Sequence, residues 1–250
     1  MKIVIIGAGN VAFHLIKSIT NSGHQLVQIY NRTIENINES TKKIPLSDSI
    51  GGIYPNADIY LICVKDNAIE EIANQLNLKD KLVLHTSGNR TMDILKNSSS
   101  NYGIFYPIQS FTKEIPLDFK KVPIIIEASS TEAYQKLKSF AESISERVIE
   151  MNLEKRQKLN IAGVFVNNFT NHIYHLMHEY LDKESIDFSI LHPIIQNTVD
   201  KIKIKNPKTC QTGPAIRNDF ETINNQKKIL ENDEDLLKIY IEFTQGIMKI

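Results

Sequence analysis

Two glycines near the start of the chain have the spacing of a phosphate-binding turn. Gly7 and Gly9 follow an apolar run over 2–6, and Ala12 completes a Gly-x-Gly-x-x-Ala pattern. The first glycine allows a tight bend, the second lets the backbone approach a pyrophosphate, and the small third residue keeps the helix close to the strand. The helix N-terminus adds free N–H groups and a positive dipole. We therefore predict dinucleotide binding; the alternative is a domain of this shape that binds no nucleotide. The predicted binding residues are contiguous: Gly7, Ala8, Gly9, Asn10 and Val11.

The residues after the second predicted strand distinguish between dinucleotides. Folds that prefer NAD usually place an acidic residue there, about 20 residues past the glycines, on the ribose 2′-hydroxyl. This chain has Asn31, Arg32 and Thr33 at that point, and no acid before Glu35. A guanidinium can pair with a 2′-phosphate and stack on adenine, and the flanking side chains can donate hydrogen bonds to it. The sequence thus predicts NADP as the cofactor, and a solvated surface arginine is the alternative.

Polar residues also follow two later strands. His85 ends one strand and is followed by Ser87, whereas Gln109 and Ser110 follow another. Ligands of doubly wound sheets bind at the carboxyl ends of strands. Because histidine titrates near neutral pH, His85 could protonate a carbonyl or imine as a catalytic acid. Ser87, Gln109 and Ser110 could orient the substrate, and we count Ser87 among the predicted catalytic residues. The alternative for His85 is a strand-end histidine that caps a backbone group. Three more strand-end residues are expected to line the cofactor: Val64, Lys65 and Thr86.

Two residues of the last third of the chain complete the predicted active site. Arg217 could hold a substrate carboxylate with two hydrogen bonds while Asp219 fixes its guanidinium. The alternative is an internal Arg-Asp pair that ties down a loop. Asn168 could donate and accept hydrogen bonds without changing its charge. We predict no metal site, because the histidine spacing is not the i, i+4 pair of a zinc helix. These histidines form a polar stripe: His172, His175 and His178.

Strand-like and helix-like stretches alternate through residues 1–152. Continuous apolar runs, such as 2–6 and 58–64, are typical of strands buried on both faces, and helical periodicity lies between them. One of the intervening helices is a polar one over 33–43. This alternation predicts βαβ units and a parallel sheet. After residue 152 the pattern is only helical, with helices expected at 153–182, 188–202, 220–231 and 234–248. We therefore predict an α/β chain, with a Rossmann domain over 1–152 and an all-α domain over 153–250.

The bulk composition limits the class of protein. Lys and Arg total 29, as do Asp and Glu, so a neutral chain has no bulk attraction to nucleic acid or anionic lipid. Two cysteines are too few for a disulfide framework, and no apolar run is long enough to span a membrane. We expect a cytoplasmic protein that acts on a small molecule, with neither nucleic acid nor membrane as a partner.

The helix predicted over 153–182 has an apolar surface that is broad for a domain of about 100 residues, which buries little on its own. We therefore predict a homodimer formed through the helical domains. The apolar residues concerned are Ile161, Val164, Phe165, Phe169, Ile173, Leu176 and Met177.

Five short motifs occur in an order that resembles a known family. They are Asn31-Arg32-Thr33, His85-Thr86-Ser87-Gly88, the stretch from Phe105 to Phe111, the stretch from Asn167 to His172, and the stretch from Thr212 to Asp219. The chain resembles proteins that join a Rossmann-like domain to domain of unknown function 2520, whose members are often labelled NADP oxidoreductases. More distantly it is similar to pyrroline-5-carboxylate reductase, ketopantoate reductase and the β-hydroxyacid dehydrogenases. The resemblance implies an NADP-binding Rossmann domain followed by a helical dimerisation domain of the 6-phosphogluconate dehydrogenase C-terminal-like fold.

The helical half departs from these relatives at the residues that could move protons. β-Hydroxyacid dehydrogenases have a lysine four residues before an asparagine, whereas Lys158 lies nine residues before Asn167. Asn160 and Gln226 stand near positions where the resemblance leads us to expect histidine, and amides cannot shuttle protons at neutral pH. We predict reversible hydride transfer to a small C=O or C=N compound. The alternative is a sensor or scaffold that holds NADP(H) without turnover.

Overall fold

The computed structural model describes residues 1–33 and 44–250, and within them eight strands form one sheet. In chain order the strands are β1 (Lys2–Ile6), β2 (Gln25–Tyr30), β3 (Leu46–Ser47), β4 (Ile59–Ile62), β5 (Leu82–His85), β6 (Asn101–Pro107), β7 (Ile124–Ala128) and β8 (Val148–Glu150). The sheet order is β3-β2-β1-β4-β5-β6-β7-β8. The strand order reverses beside β1, which is the switch point where doubly wound sheets bind ligands. The predicted Rossmann-type α/β fold is therefore confirmed.

The apolar runs form central strands because both faces of the sheet are covered. Ile3 and Ile5 of β1 pack in one hydrophobic cluster, whereas Val4 and Ile6 pack in another on the opposite face. Successive side chains of a strand point to opposite faces, so a strand buried on both sides must be apolar at every position. The same rule applies to β4, whose four residues are all buried.

The described residues of this half of the chain contain four α-helices: α1 (Asn10–Asn21), α2 (Ile69–Asn74), α3 (Thr131–Ile144) and α4 (Leu153–Gly163). Short 3-10 turns occur at Ile50–Gly52, Asp66–Ala68, Met92–Leu95 and Phe119–Lys121. The 3-10 turn Asp66–Ala68 leads directly into the short α2. Of the helix predicted over 33–43, all but Thr33 lies outside the described residues.

Strand β7 runs antiparallel to β6, which the alternating pattern did not predict. Parallel neighbours need a connection that carries the chain back to the opposite end of the sheet. The connection over 108–123 does not do so, because the Ile108 N–H donates to the Pro123 carbonyl at 2.8 Å and its two ends lie side by side. Helix α3 then supplies a crossover, and β8 runs parallel to β7.

The contacts divide the chain into two compact units, Met1–Asn167 and Asn168–Ile250. The predicted boundary after residue 152 corresponds to the end of the strands, since β8 is the last of the described strands, while α4 belongs to the first unit. A π-helical turn, Val164–Phe169, interrupts the helix predicted over 153–182. The second unit contains α5 (Thr170–Asp182), α6 (His192–Ile204), α7 (Pro207–Cys210), α8 (Phe220–Ile229) and α9 (Glu234–Met248).

The second unit has few buried side chains. Only Ala215, Ile223, Leu236 and Thr244 are buried among residues 168–250, all of which are described. Helices α5 and α6 contain no buried residue. None of the helices seen in 1–33 and 44–250 has the length and apolar character needed to cross a bilayer.

Candidate active site

The first glycine of the predicted turn is required by a close backbone approach. Gly7 has a φ of 113°, and a Cβ atom at this position would lie 2.3 Å from the carbonyl oxygen of Cys63. Its N–H donates to the Tyr30 carbonyl at 2.7 Å. Positive φ is unfavourable for residues with a side chain, and no such atom fits against the Cys63 carbonyl. Gly7 therefore bends the chain at the carboxyl end of β1, between β2 and β4.

The second glycine begins α1 and leaves space beside it. Gly9 is the N-cap residue, it has extended backbone geometry, and no side chain caps the helix. The first intrahelical bond runs from the Phe13 N–H to the Gly9 carbonyl at 3.0 Å. The earlier N–H groups of α1 have no carbonyl within the helix to bind. A Cβ atom at Gly9 would meet nothing within 4 Å. An uncapped helix N-terminus with open space beside it suits a pyrophosphate.

Asn10 fastens the loop after β6 to α1. Its Nδ2 donates to the Phe111 carbonyl at 2.8 Å, and His14 Nε2 donates to the Thr112 carbonyl at 2.9 Å. This loop carries Gln109 and Ser110, both exposed, and Gln109 Oε1 accepts from the Ser110 N–H at 2.8 Å. The structure therefore places the two predicted substrate residues on a loop that is bonded to the first turns of α1.

The predicted ribose-binding residues follow β2 at the same edge of the sheet as the glycine turn. The Asn31 N–H donates to the Ser47 carbonyl at 3.0 Å, and its Nδ2 donates to the Thr33 carbonyl at 2.7 Å. Asn31 thus shapes the loop on which Arg32 is presented. Arg32 and Thr33 are exposed, and within residues 1–33 and 44–250 Arg32 forms no ion pair. Its charge is accessible from solvent at this edge.

The remaining predicted cofactor residues follow β4 and β5. Val64 Cγ1 would lie 2.9 Å from a Cβ at Gly7, so this side chain adjoins the turn. Lys65 is exposed and precedes the 3-10 turn Asp66–Ala68. The Thr86 N–H donates to the Ile62 carbonyl at 3.3 Å, which continues the ladder between β4 and β5. All three lie at the carboxyl edge of the sheet.

The His85 side chain is buried and bonded to the backbone of the loop that follows β5. The ring is fully buried, its Nδ1 accepts from the Ser87 N–H at 3.1 Å, and its Nε2 donates to the Thr91 carbonyl at 3.2 Å. Burial lowers the pKa of His85 from 6.5 to about 4, although the bond to the Thr91 carbonyl raises it. With both nitrogens bonded to backbone, the neutral ring has no free proton to give. The geometry favours the alternative of a strand-end histidine that caps backbone groups.

The Ser87 hydroxyl is occupied by the turn that follows β5. Its Oγ donates to Asp66 Oδ2 at 2.8 Å and accepts from the N–H groups of Asn89 and Arg90 at 3.2 and 3.1 Å. A hydroxyl has one donor and two acceptor sites, and all three are used here. Ser87 therefore holds the loop after β5 in place, and its hydroxyl has no hydrogen-bonding site left for a substrate.

A tyrosine-asparagine pair at this edge was not predicted as a site. Tyr106 lies near the end of β6 and its hydroxyl accepts from Asn160 Nδ2 of α4 at 2.9 Å. The Tyr106 ring packs on Gly88, where a Cβ would lie 2.6 Å from Cζ. Both residues stood out in the sequence, Tyr106 within a motif and Asn160 as a departure from relatives. Their pairing spans 54 positions, so no local pattern reveals it.

Helix α4 is anchored by an arginine that is completely buried. Arg156 forms an ion pair with Glu127 of β7, and its Nη2 donates to the Arg90 carbonyl at 2.8 Å. The next residue, Gln157, donates to the Asn89 carbonyl at 3.1 Å. These bonds hold α4 against the loop after β5. In contrast, the exposed Lys158 only pairs with Glu154 within its own helix, at 2.5 Å.

The predicted site residues of the second unit lie on exposed surface. Asn168 is in the π-helical turn, and Arg217 follows a bend at Gly213, whose φ is 107°. No salt bridge joins Arg217 to Asp219 among the described residues, so the support of the guanidinium by Asp219 stays a prediction, as does the alternative of an internal pair. Asp219 instead caps α8 by accepting from the N–H and Oγ1 of Thr222 at 3.1 and 2.8 Å. These two hydrogen bonds, the backbone one first, lower the pKa of Asp219.

The histidine stripe lies on α5. His175 Nε2 is 3.7 Å from Glu179 Oε1, the rings of His172 and His175 are 6.1 Å apart, and His178 packs near Phe188. In the part of the chain that the structure describes, no three His, Cys, Asp or Glu side chains are grouped so that they could hold a metal ion.

Comparisons with known proteins agree with this architecture. A reductive aminase from Aspergillus terreus, solved with NADPH and ethyl levulinate, superimposes with a TM-score of 0.74 at 14% identity over 99% of this chain and 93% of its own. A pyrroline carboxylate reductase from Plasmodium falciparum, solved with NADP bound, has a TM-score of 0.64 at 13% identity over 99% and 98%. These similarities establish the fold class, a Rossmann-like domain followed by a helical portion.

Sequence comparisons define the family. The model of the family described as NADP oxidoreductase, coenzyme F420-dependent, matches residues 2–88, and that of domain of unknown function 2520 matches residues 122–247. A Bacteroides fragilis protein provisionally described as an NADP oxidoreductase is 37% identical over 100% of this chain and 98% of its own, with a TM-score of 0.91. The chain therefore belongs to the domain of unknown function 2520 family. No curated protein matches it significantly in sequence.

Proposed function

We propose that this protein is an NADP(H)-dependent oxidoreductase that transfers hydride to or from a small carbonyl or imine compound. The observation that carries the proposal is the uncapped, open turn from Gly7 to Gly9 beside a loop that presents Arg32. An acidic residue at that loop would repel a 2′-phosphate, whereas an arginine can bind it with charge-assisted hydrogen bonds. The family models and the NADP-bound structural neighbours support the same cofactor.

Each residue of the edge has a separate part in cofactor binding. Gly7 bends the turn, and the N–H groups from Ala8 to Val11 would hold the pyrophosphate. Arg32 would pair with the 2′-phosphate while Asn31 keeps its loop in shape. Val64, Lys65 and Thr86 line the cofactor where β4 and β5 end. When bound there, NADPH would supply the hydride. The chain itself would bind the cofactor and the substrate and orient them.

The substrate class follows from the neighbours and from the polar groups at the edge. The solved neighbours include a pyrroline carboxylate reductase, an imine reductase and a reductive aminase in complex with ethyl levulinate. Gln109 and Ser110 are exposed on the loop bonded to α1, where they could orient such a substrate. Asn168 and Arg217 are the further residues that we propose for the substrate, and Arg217 would favour an anionic one.

The second candidate is an NADP(H)-binding sensor or scaffold without turnover. It is favoured by the engagement of His85 and Ser87 in backbone hydrogen bonds and by the amide at Asn160. The absorbance of NADPH distinguishes the two candidates when the protein is supplied with 1-pyrroline-5-carboxylate or with ethyl levulinate and an amine. An enzyme oxidises NADPH in step with loss of the C=N bond. A sensor binds NADPH with the same affinity and leaves its absorbance constant.

We also propose that the protein is a homodimer joined through the second unit. Large apolar side chains remain exposed there, including Ile190, Ile194 and Ile204 at 69%, 62% and 82% of their full area. An unpaired unit of this kind buries too little apolar surface to be stable. In a two-fold dimer the same unit of a second copy would cover these side chains on both chains.

A further inference from the structure

We propose that Tyr106 is the proton donor of the reaction and that Asn160 positions its hydroxyl. This inference rests on the proposed oxidoreductase function and extends it to a named catalytic residue. Tyr106 lies at the carboxyl end of β6, one strand from Thr86 and Gly88, which follow β5. It is therefore at the edge where a doubly wound sheet presents its ligand to the reacting groups.

The hydrogen bond at Tyr106 leaves its proton available. Asn160 Nδ2 donates to the phenol oxygen at 2.9 Å, so the oxygen acts as the acceptor in this bond. Among the described residues the Tyr106 O–H has no acceptor of its own. A phenol whose oxygen already accepts one hydrogen bond can direct its O–H towards a third group. Here that group would be the oxygen or nitrogen of the substrate.

Packing fixes the ring in one place. A Cβ at Gly88 would lie 2.6 Å from Tyr106 Cζ and 2.9 Å from Asn160 Nδ2, so glycine is needed for the ring and the amide to meet. Neighbouring bonds hold the same parts of the chain together. Gln157, one turn before Asn160 on α4, donates to the carbonyl of Asn89, which follows Gly88. The pair is held by both α4 and the loop after β5.

The other polar groups at this edge are less suited to donate a proton. His85 is buried and neutral with both nitrogens bonded to backbone. The Ser87 hydroxyl donates to Asp66. The only N–H donors on Asn160 belong to an amide, which does not ionise near neutral pH. Tyr106 is the hydroxyl at the ends of β5 and β6 that combines a fixed ring with an uncommitted proton.

The proposed step balances atoms and electrons. A C–H bond of the reduced nicotinamide would break, and its hydride, with both electrons, would form the new C–H bond at the substrate carbon. The π bond of the C=O or C=N group breaks, and its electron pair moves to the oxygen or nitrogen. That atom takes the proton of the Tyr106 hydroxyl, which leaves a phenolate that regains a proton from water. The products are an alcohol or amine and the oxidised cofactor.

Replacing Tyr106 with phenylalanine tests the donor directly. Because general acids contribute about 10²–10⁴-fold, Tyr106→Phe should lower kcat for NADPH oxidation by at least about 100-fold. NADPH binding, followed by fluorescence, should not change. Tyr102→Phe is the matched control, since Tyr102 is another partly buried tyrosine of β6 at the opposite end of the strand. It should keep the kcat of the natural protein.

Two results would overturn the inference, and they are distinguishable. If the natural protein oxidises NADPH with 1-pyrroline-5-carboxylate or an ethyl levulinate-amine pair and Tyr106→Phe does so equally fast, Tyr106 is not the donor. If the natural protein binds NADPH but oxidises none of it with either substrate, the proposed oxidoreductase function is wrong, and the assignment of Tyr106 as proton donor is wrong as well.

The role of Asn160 is tested by comparing kcat with the KM for NADPH, because a residue that only supports the fold would not change kcat alone. Asn160→Ala should lower kcat with little change in the KM for NADPH, because only the orientation of the Tyr106 hydroxyl is lost. Asn160→His, which keeps an N–H donor, should recover part of the lost kcat. Equal activity of both variants and the natural protein would show that the hydrogen bond has no role in the reaction.

Discussion

At the scale of single residues, the two glycines of the turn serve different needs. Gly7 is required by the backbone of the neighbouring strand, whereas Gly9 borders open space. A methyl group at Gly7 therefore disturbs the fold, and one at Gly9 only fills the place proposed for the pyrophosphate. Substitutions at Gly7 should therefore affect the stability of the fold, whereas substitutions at Gly9 should affect cofactor binding.

We predict that Gly9→Ala keeps the melting temperature and weakens NADPH binding by at least about tenfold, or 1.4 kcal/mol. Gly7→Ala should lose both, because its φ of 113° and the 2.3 Å approach to Cys63 exclude a side chain. Thermal unfolding and NADPH fluorescence titration measure the two effects. Tight NADPH binding by Gly9→Ala would argue against a pyrophosphate at the turn.

His85 predicts a pH dependence of stability. Its pKa is lowered from 6.5 to about 4 in the folded protein, so below pH 6.5 the unfolded chain binds a proton that the folded chain does not. The free energy of unfolding should therefore fall as the pH decreases from about 6.5 to about 4, by up to about 3 kcal/mol from this group. Above that window the contribution is constant.

Chemical denaturation of the natural protein and of His85→Gln over this pH range isolates the effect, because other groups cancel in the difference. The stability advantage of the natural protein should shrink towards acid pH. A difference that is constant from pH 7 to pH 4 would mean that the His85 pKa is the same in the folded and unfolded chains, contrary to its buried, backbone-bonded geometry.

At the scale of elements, α4 is held to the sheet by one buried ion pair. Arg156 is completely buried and Glu127 is 20% exposed, and Arg156 also bonds the loop after β5. Removing one partner of a buried pair leaves the other charge uncompensated, which costs about 3–5 kcal/mol. The pair also links α4, which carries Asn160, to the strands that end at the site.

We predict that Arg156→Met lowers the free energy of unfolding by about 3–5 kcal/mol, and that Glu127→Gln is also destabilising. The double variant should lose less than the sum of the two, which a double-mutant cycle in urea measures. Lys158→Met is the control, since its exposed pair with Glu154 is worth at most about 1 kcal/mol. Additive losses would show that the two charges do not interact.

Local sequence patterns predicted the helices and strands better than they predicted how these elements pack and which side chains they bring together. Continuous apolar runs such as 2–6 identified central strands, and the glycine spacing located the turn, because both depend on neighbouring residues. The antiparallel β7 and the π-helical turn were not predicted, since strand direction and helix register depend on packing. The bonds of Asn160 to Tyr106 and of Arg156 to Glu127 span 54 and 29 positions, beyond any periodicity. The contacts that decide which residues could act in catalysis are therefore the least predictable from the sequence.

At the scale of the whole molecule, the second unit, Asn168–Ile250, buries few side chains. Only four of its residues are buried, and α5 and α6 contribute none of them. Exposed apolar area of this extent marks an association surface in natural proteins. We expect it to be covered by a second copy.

Light scattering should give twice the chain mass of 28.5 kDa at micromolar concentration. Ile194→Glu, which places a charge on the exposed face of α6, should shift the mass towards the monomer and lower the melting temperature. Lys203→Glu on the same helix is a charge control that should keep the dimer. A natural protein that is monomeric under these conditions would contradict the proposed homodimer.

The central claim is that NADP(H) binds at the turn from Gly7 to Gly9 with its 2′-phosphate on Arg32. The most direct measurement is fluorescence titration of the natural protein and of Arg32→Ala with NADPH and with NADH. We expect the natural protein to bind NADPH more tightly by about 1–3 kcal/mol, the strength of charge-assisted contacts, and Arg32→Ala to lose most of that preference while its NADH affinity stays unchanged. Equal affinities of the natural protein for the two cofactors, or no binding of either, would contradict the claim.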